Sequence, residues 1–174
     1  VVDADTMLHM PEFRASERTM QLLAQVAGRA GRAEKKGEVV LQTLQPGHIA
    51  IAGAVAGDYG DFAVRELALR RELGYPPYCM LVRLLWTGAD EEKLAEAAGA
   101  ACEVLRRALA PSGHEVIGPA PAVLPKARGK FRYHALMKVV EPDQRLAGVL
   151  EQARAVELLS GVKLKINVDP YDLF

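Results

Sequence analysis

The densest chemistry in the chain lies in eight consecutive residues, Gln25-Val26-Ala27-Gly28-Arg29-Ala30-Gly31-Arg32, which read Q-x-x-G-R-x-G-R. Guanidinium groups stay charged and bond two phosphate oxygens at once, so they suit the terminal phosphate of a nucleotide. Arg29 and Arg32 are three residues apart and can point the same way from a helix end. Gly28 and Gly31 let the backbone approach the nucleotide, or a facing domain, with no Cβ between. Gln25, one turn earlier, is placed to hold a water or a phosphate oxygen. Arginines near a helix C-terminus also have a plainer use, compensating the dipole. Gln25 and both glycines in register favour the nucleotide, so Gln25, Arg29 and Arg32 are the expected catalytic residues, with Gly28 and Gly31 lining the nucleotide.

A second constellation is basic. Lys126, Arg128, Lys130 and Arg132 place four cations in seven residues with no acid between them, on an expected loop that Pro125 flanks and Gly129 interrupts. Such a loop can lie along phosphates. Strand alternation adds Arg83, Lys138, Lys163 and Lys165 on one sheet face. Two uses stay open for this surface, a nucleic-acid backbone or an acidic peptide, beside the plain one of keeping strand edges from pairing. Base stacking is not expected, because that face offers His134 and no aromatic pair.

Positioning these residues requires a definite order of elements. Val1 to Asp5 reads as the end of a buried strand, and Ser16 as the N-cap of a helix running to about Gly28, with Met20, Leu23, Ala24 and Ala27 as its apolar stripe. Gly28, Gly31 and Glu34-Lys35-Lys36-Gly37 break it, and Glu38 to Leu44 reads as a strand. Helices follow at His48–Ala56 and Tyr59–Leu73, the second stopped by Gly74 and Tyr75-Pro76-Pro77, which make a rigid joint. From Met80 the order is strand (Met80–Thr87), helix (Asp90–Ala110), strand (Glu115–Gly118), loop, strand (Arg132–Val140), helix (Pro142–Ser160), strand (Val162–Asp169). That is the βαββαβ order of a ferredoxin-like fold. Met80, Val82, Leu84 and Trp86 alternate onto one face, as do Val162, Leu164, Ile166 and Val168. Helical stripes of Leu94, Ala98, Ala101, Leu105 and Leu109, and of Leu146, Val149, Leu150 and Ala153, are expected to cover it.

Composition narrows the classes. The 174 residues are half apolar, enough for one ordinary domain or two small ones. With 22 basic and 22 acidic side chains the formal charge is zero, so nucleic-acid affinity must come from local clustering. Cys79 and Cys102 form no Cys-x-x-Cys, and His9, His48, His114 and His134 are scattered, which supports neither a zinc site nor a disulfide framework and fits a cytoplasmic setting. No apolar stretch approaches the ~20 residues that cross a bilayer, so no membrane partner is expected. An opening inside an apparent strand is what a piece of a longer chain would give. No G-x-x-x-x-G-K-[ST] occurs, since Arg128-Gly129-Lys130-Phe131 lacks the leading glycine and the following hydroxyl, and there is no Asp-Glu-x-His. This chain alone is therefore not expected to hydrolyse ATP.

Residues 25–32 resemble motif VI of superfamily 2 helicases. Around them Asp3-Ala4-Asp5, Pro11-Glu12-Phe13-Arg14-Ala15, Glu17-Arg18 and Gln21-Leu22-Leu23 resemble the PriA family of replication-restart DNA helicases. The likeness continues through Leu41-Gln42-Thr43, Pro46, His48, Asp58-Tyr59, Phe62, Glu66, Arg70, Tyr75-Pro76-Pro77, Gly118-Pro119-Ala120-Pro121, Arg128-Gly129-Lys130, Arg132 and Val168-Asp169-Pro170. It implies the end of a RecA-like lobe at residues 1–50, a helical connector at 51–79, and a domain similar to ribosomal protein S10 at 80–174, giving a mixed α/β and α+β chain. It further implies a 3′-to-5′ helicase in which Arg29, Arg32 and Gln25 face ATP held with Mg2+ by another lobe. Asp3 and Asp5 would link nucleotide state to DNA grip, with Asp5 joining Gly28 and Gly31 in binding the nucleotide. Zinc would be bound elsewhere in the intact protein. The implied partners are forked and single-stranded DNA, single-stranded DNA-binding protein and primosome helicase-loading proteins. The rival expectation is a non-catalytic module that binds DNA or protein and has lost ATPase activity.

Overall fold

The computed structural model describes residues 2–30, 38–141, 144–160 and 162–171. Gly31, Arg32, the run Glu34-Lys35-Lys36-Gly37 and Pro142 lie outside the described residues. The chain divides into two units, Val1–Leu73 and Gly74–Phe174. The two helices expected as a connector fall in the first unit.

In the first unit β1 (Val2–Asp3) pairs in parallel with β2 (Leu41–Gln42), Val2 opposite Leu41 and Asp3 opposite Gln42. The strand expected over Glu38–Leu44 is observed only at Leu41–Gln42. The chain turns at Asp5 into α1 (Asp5–Leu8). There the Asp5 carboxylate accepts the Thr43 hydroxyl at 2.5 Å and the Leu44 N–H at 2.6 Å, which closes the ladder.

Helix α2 (Ala15–Ala30) starts a residue before Ser16, so Ser16 is helical and not a cap, and it runs past Gly28 through Arg29. Only its first half is buried. Thr19 returns its hydroxyl to the Ala15 carbonyl at 2.8 Å, Met20 packs with Ala50 and Phe62, and Leu23 packs with Ala4 and Ile51. Ala24 and Ala27, expected in the stripe, are exposed. The apolar partners come from α3 (Ile49–Ala56), α4 (Tyr59–Glu72), Leu41 of β2 and the start of the chain, and they meet the first half of the helix. Both short helices are capped: His48 Nδ1 accepts the Ala50 N–H at 3.2 Å and the Asp58 carboxylate accepts the Asp61 N–H at 2.9 Å.

The second unit is an antiparallel sheet covered by two helices. Its elements are β3 (Met80–Gly88), α5 (Glu91–Leu109), a short 3-10 turn at Ala110–Ser112, β4 (Glu115–Ala127), β5 (Lys130–Val139), α6 (Gln144–Ser160) and β6 (Lys163–Val168). The strand order β4-β5-β3-β6 has all neighbours antiparallel, as the expected βαββαβ arrangement requires. Val82, Leu84 and Trp86 face Leu94, Ala98, Ala101, Cys102, Leu105, Leu146, Val149 and Ala153 in one core. Asp90 caps α5 by accepting the Lys93 N–H at 3.2 Å.

One expectation is overturned. The stretch read as a loop between Gly118 and Arg132 is a hairpin, because β4 continues to Ala127 and β5 begins at Lys130. Pro119, Pro121 and Pro125 suggested a loop. They are tolerated here because β4 is an edge strand, where a missing N–H can face away from the partner, and register shifts after Ile117 and after Pro121 absorb the misfit. The turn itself has two residues, Arg128 at φ 50° and Gly129 at φ 76°, the pair of positive values that a tight right-twisted hairpin needs.

Candidate functional site

Helix periodicity sets the geometry of the arginine motif. Gln25 and Arg29 are four residues apart on α2, hence one above the other on one face, and both are exposed with Gly28 beside them. The last turns of α2 thus offer an amide and a guanidinium to whatever lies beyond. A Cβ on Gly28 would meet nothing within 4 Å. Among the described residues no close approach explains that glycine. Gly31 and Arg32, the other half of the motif, lie outside the described residues.

The aspartates are engaged locally. Asp3 accepts the Asp5 N–H at 3.0 Å and the Thr6 hydroxyl at 2.9 Å, tying down the start of α1. The Asp5 carboxyl is held below its ordinary pKa, first by the Thr43 hydroxyl and then by the Leu44 N–H. Its oxygens join α1 to the segment after β2. They border a cleft of about 370 Å³ lined by Asp3, Asp5, Thr6, His9, Gln42, Thr43 and Leu44.

Motif reading alone did not single out the clamp that anchors the other end of α2. Arg70 of α4 donates through Nη2 to Glu17 at 2.9 Å and through Nε to Glu66 at 2.9 Å, and it lies over the Phe13 ring at 5.3 Å. Burial opposes its charge, yet hydrogen bonds to Glu17 and Glu66 outweigh it and hold the guanidinium above its ordinary pKa. The signal was present as a Glu66/Arg70 pair at helical spacing, but Glu17 is distant in sequence.

Strand alternation sorts the basic residues differently from the expectation. Lys126 is opposite Phe131, on the helix side of the sheet, with its Nζ 4.2 Å from that ring's centre. Lys130 and Arg132 take the other face and Arg128 sits in the turn, so the four cations do not line one surface. Arg83 does lie on the face opposite the helices, but it is only 2% exposed, flanked by Leu136 and Asn167 in the middle of the sheet. It is not a surface cation. Lys138 is also engaged, 3.2 Å from Glu115 and over the Tyr75 ring at 4.5 Å. Lys163 and Lys165 are exposed as expected. His134 shares their face, and burial, then Arg83 and Arg132, hold its pKa below the usual value.

Among the described residues no group of three His, Cys, Asp or Glu is placed to hold a metal ion, and no helix is long and apolar enough to cross a membrane. Burial pushes the Cys102 thiol up to about 11, so it is a core residue and not a nucleophile.

Comparison with known proteins gives a consistent result. The chain is 36% identical over 176 residues to the replication restart protein PriA of Bacillus subtilis, covering 98% of this chain and 22% of that protein. It is 38% identical to its namesake in Treponema pallidum, covering 98% of this chain and 26% of that one. With the Haemophilus influenzae protein of that name it shares 38% identity, covering 99% and 24%. The chain therefore spans about a quarter of the length of the curated relatives it matches. A solved hydantoinase/carbamoylase family amidase from Burkholderia ambifaria aligns at TM-score 0.35 and 13% identity over 51% of this chain and 27% of that one, too remote to bear on fold or activity. Residues 71–171, which hold the whole four-stranded sheet and both of its helices, match the primosomal protein N C-terminal domain, and the chain belongs to that PriA family.

Proposed function

We propose that this chain is part of an ATP-dependent 3′-to-5′ DNA helicase that recognises abandoned replication forks and starts primosome assembly. The observation that carries the reading is the exposed end of α2, where Gln25 and Arg29 stand one turn apart. Here Arg29, with Arg32, meets the terminal phosphate of ATP gripped by another lobe. The anionic transition state gathers charge on that phosphate, and a fixed guanidinium stabilises it without reorganising. Gln25 holds the attacking water or a phosphate oxygen. ATP and Mg2+ are bound by residues outside this chain, and zinc likewise, so no step is routed through a metal here.

The first unit suits the end of a RecA-like lobe. A parallel pair of two-residue strands is too small to stand alone, and parallel sheets are normally covered on both faces, so β1 and β2 fit the margin of a larger sheet. The Asp5 links to Thr43 and Leu44 then connect that margin to α1 and support a coupling role between nucleotide and DNA, with Asp5 counted among the nucleotide-binding residues. The second unit, taken as S10-like from the family resemblance and ferredoxin-like in strand order, presents cations to forked and single-stranded DNA or to the acidic tail of single-stranded DNA-binding protein. Loading proteins of the primosome and a cytoplasmic setting complete the proposal.

The test is hydrolysis by the intact protein. Arg29→Ala and Arg32→Ala should each lower kcat by about a thousandfold with little change in KM. Robust hydrolysis unchanged by both substitutions overturns the arginine role, and an intact wild-type protein that does not hydrolyse ATP leaves the non-catalytic binding module.

A further inference from the structure

We propose that the turn end of the sheet face opposite the helices grips duplex DNA across a minor groove, Lys130 and Arg132 on one backbone and Lys163 and Lys165 on the other. The inference rests on the reading of this chain as part of a DNA-handling protein, and it specifies which form of DNA this face takes.

The register builds two rows of charge. Arg132 and Lys163 stand on opposite sides of Thr87, while His134 and Lys165 stand on opposite sides of Leu85. Lys130 continues the first row one pleat toward the turn. Between the rows runs β3, whose residues on this part of the face, Leu85 and Thr87, carry no charge. Two inter-strand spacings put the rows about 10 Å apart, and two residues along a strand put charges within a row about 7 Å apart. A minor groove about 6 Å wide has its phosphorus atoms about 12 Å apart once the phosphates themselves are included, whereas a major groove is about twice as wide. Side chains rising from two rows about 10 Å apart reach the narrower pair.

Charge on this face is segregated along the strands. The four strands contain a single acidic residue, Glu115, and it is paired with Lys138 at the end of the face remote from the turn. Among the described residues Lys130, Arg132, Lys163 and Lys165 make no ion pair. Lys130 and Arg132 sit on an inner strand, where they guard no edge, while Lys163 and Lys165 sit on the edge strand β6.

The aromatic residues decide between one strand and two. Trp86, Phe131 and Tyr133 all fall on the helix side, in or against the core. Single-stranded DNA is held by stacking bases on aromatic rings above a basic track, and on this face, beside these two rows, the only ring among the described residues of the strands is His134, Tyr75 lying over Lys138 at the far end of the face. A duplex keeps its bases inside and shows only the paired backbones, which is what two rows of cations with an uncharged floor can use.

The test uses the intact protein without nucleotide and measures anisotropy with a blunt duplex of about 20 base pairs and with oligo-dT of equal length, across salt. Lys130→Glu with Arg132→Glu, and separately Lys163→Glu with Lys165→Glu, should each weaken duplex binding at least about tenfold and lower the salt slope by about 1.8, two phosphates' worth. Oligo-dT binding should fall less than about twofold in both. The neutral pair Lys163→Gln with Lys165→Gln should lower the slope equally, because the slope counts contacts and not repulsion. If only one row matters, or if oligo-dT loses as much as duplex, the two-row grip is overturned. A wild-type protein that binds neither probe would instead overturn the DNA reading on which the proposal stands.

Discussion

At the scale of single residues, two glycines of the second unit have opposite meanings. Gly118 lies at φ 102°, and a Cβ there would sit 2.9 Å from the His134 carbonyl oxygen. Arg106 also donates to the Gly118 carbonyl, so the backbone cannot drift away to make room. Gly118→Ala should cost roughly 3 kcal/mol of stability, from a positive φ that L residues resist plus the clash. Gly99 lies within α5 with nothing within 4 Å of its missing Cβ. Gly99→Ala should therefore stabilise by about 0.5–1 kcal/mol through lost freedom in the unfolded chain. Thermal melts of both variants check the pair, and a destabilised Gly99→Ala would contradict the open space drawn around it. Neither glycine stood out in the sequence, because the difference depends on which strand passes nearby. Gln25 and Arg29 did stand out, since their spacing on a helix already determines that they share a face. Arg83 was assigned to its sheet face by alternation, but its burial depends on Leu136 and Asn167 on neighbouring strands, which alternation along one strand cannot reveal.

At the scale of elements, the capped helices were the easiest to read. His48, Asp58 and Asp90 stand where short polar caps belong, and α3, α4 and α5 begin one residue after them. The hairpin was the hardest, because prolines that usually end a strand are harmless on an outer edge. Between helices the strongest single tie is Arg70, which binds α4 to the first turn of α2. Arg70→Ala leaves Glu66, largely buried, without its partner and should destabilise the first unit by roughly 3 kcal/mol. Arg70→Lys keeps the charge but not the fork and should lose roughly 1 kcal/mol. Denaturant titration reads both, and equal losses would mean that charge alone, and not the two-sided geometry, holds the helices.

At the scale of the whole molecule, a chain with no net charge separates its charges by region, one face of one sheet being almost free of acids. That arrangement has an acid-side cost. His134 has its folded-state pKa lowered by burial and by Arg83 and Arg132, so the unfolded chain takes up its proton first. Its contribution is fully present above the unfolded value of about 6.5 and is lost as pH falls from there through the lower folded value. Hydrogen-exchange protection factors in residues 74–171, taken relative to the intrinsic rate at each pH, should therefore fall as the pH drops below about 6.5, and His134→Gln should flatten that part of the profile. An unchanged profile would show that another group carries the acid sensitivity. The helix stop at Gly74 was legible in the sequence from Gly74 and Tyr75-Pro76-Pro77, whereas the packing of α3 and α4 on α2 was not, since it rests on Met20, Ala50 and Phe62 meeting across 42 residues. The prolines of β4 leave one more mark on the molecule. At Pro119, Pro121 and Pro125 the outer margin of the sheet has no amide hydrogen for a newcomer to grasp, while the margin at β6 has no proline at all. A sheet that can be lengthened on one side only has no way to propagate: whatever is added laterally ends with the first addition, and fibre growth by this route stops before it starts.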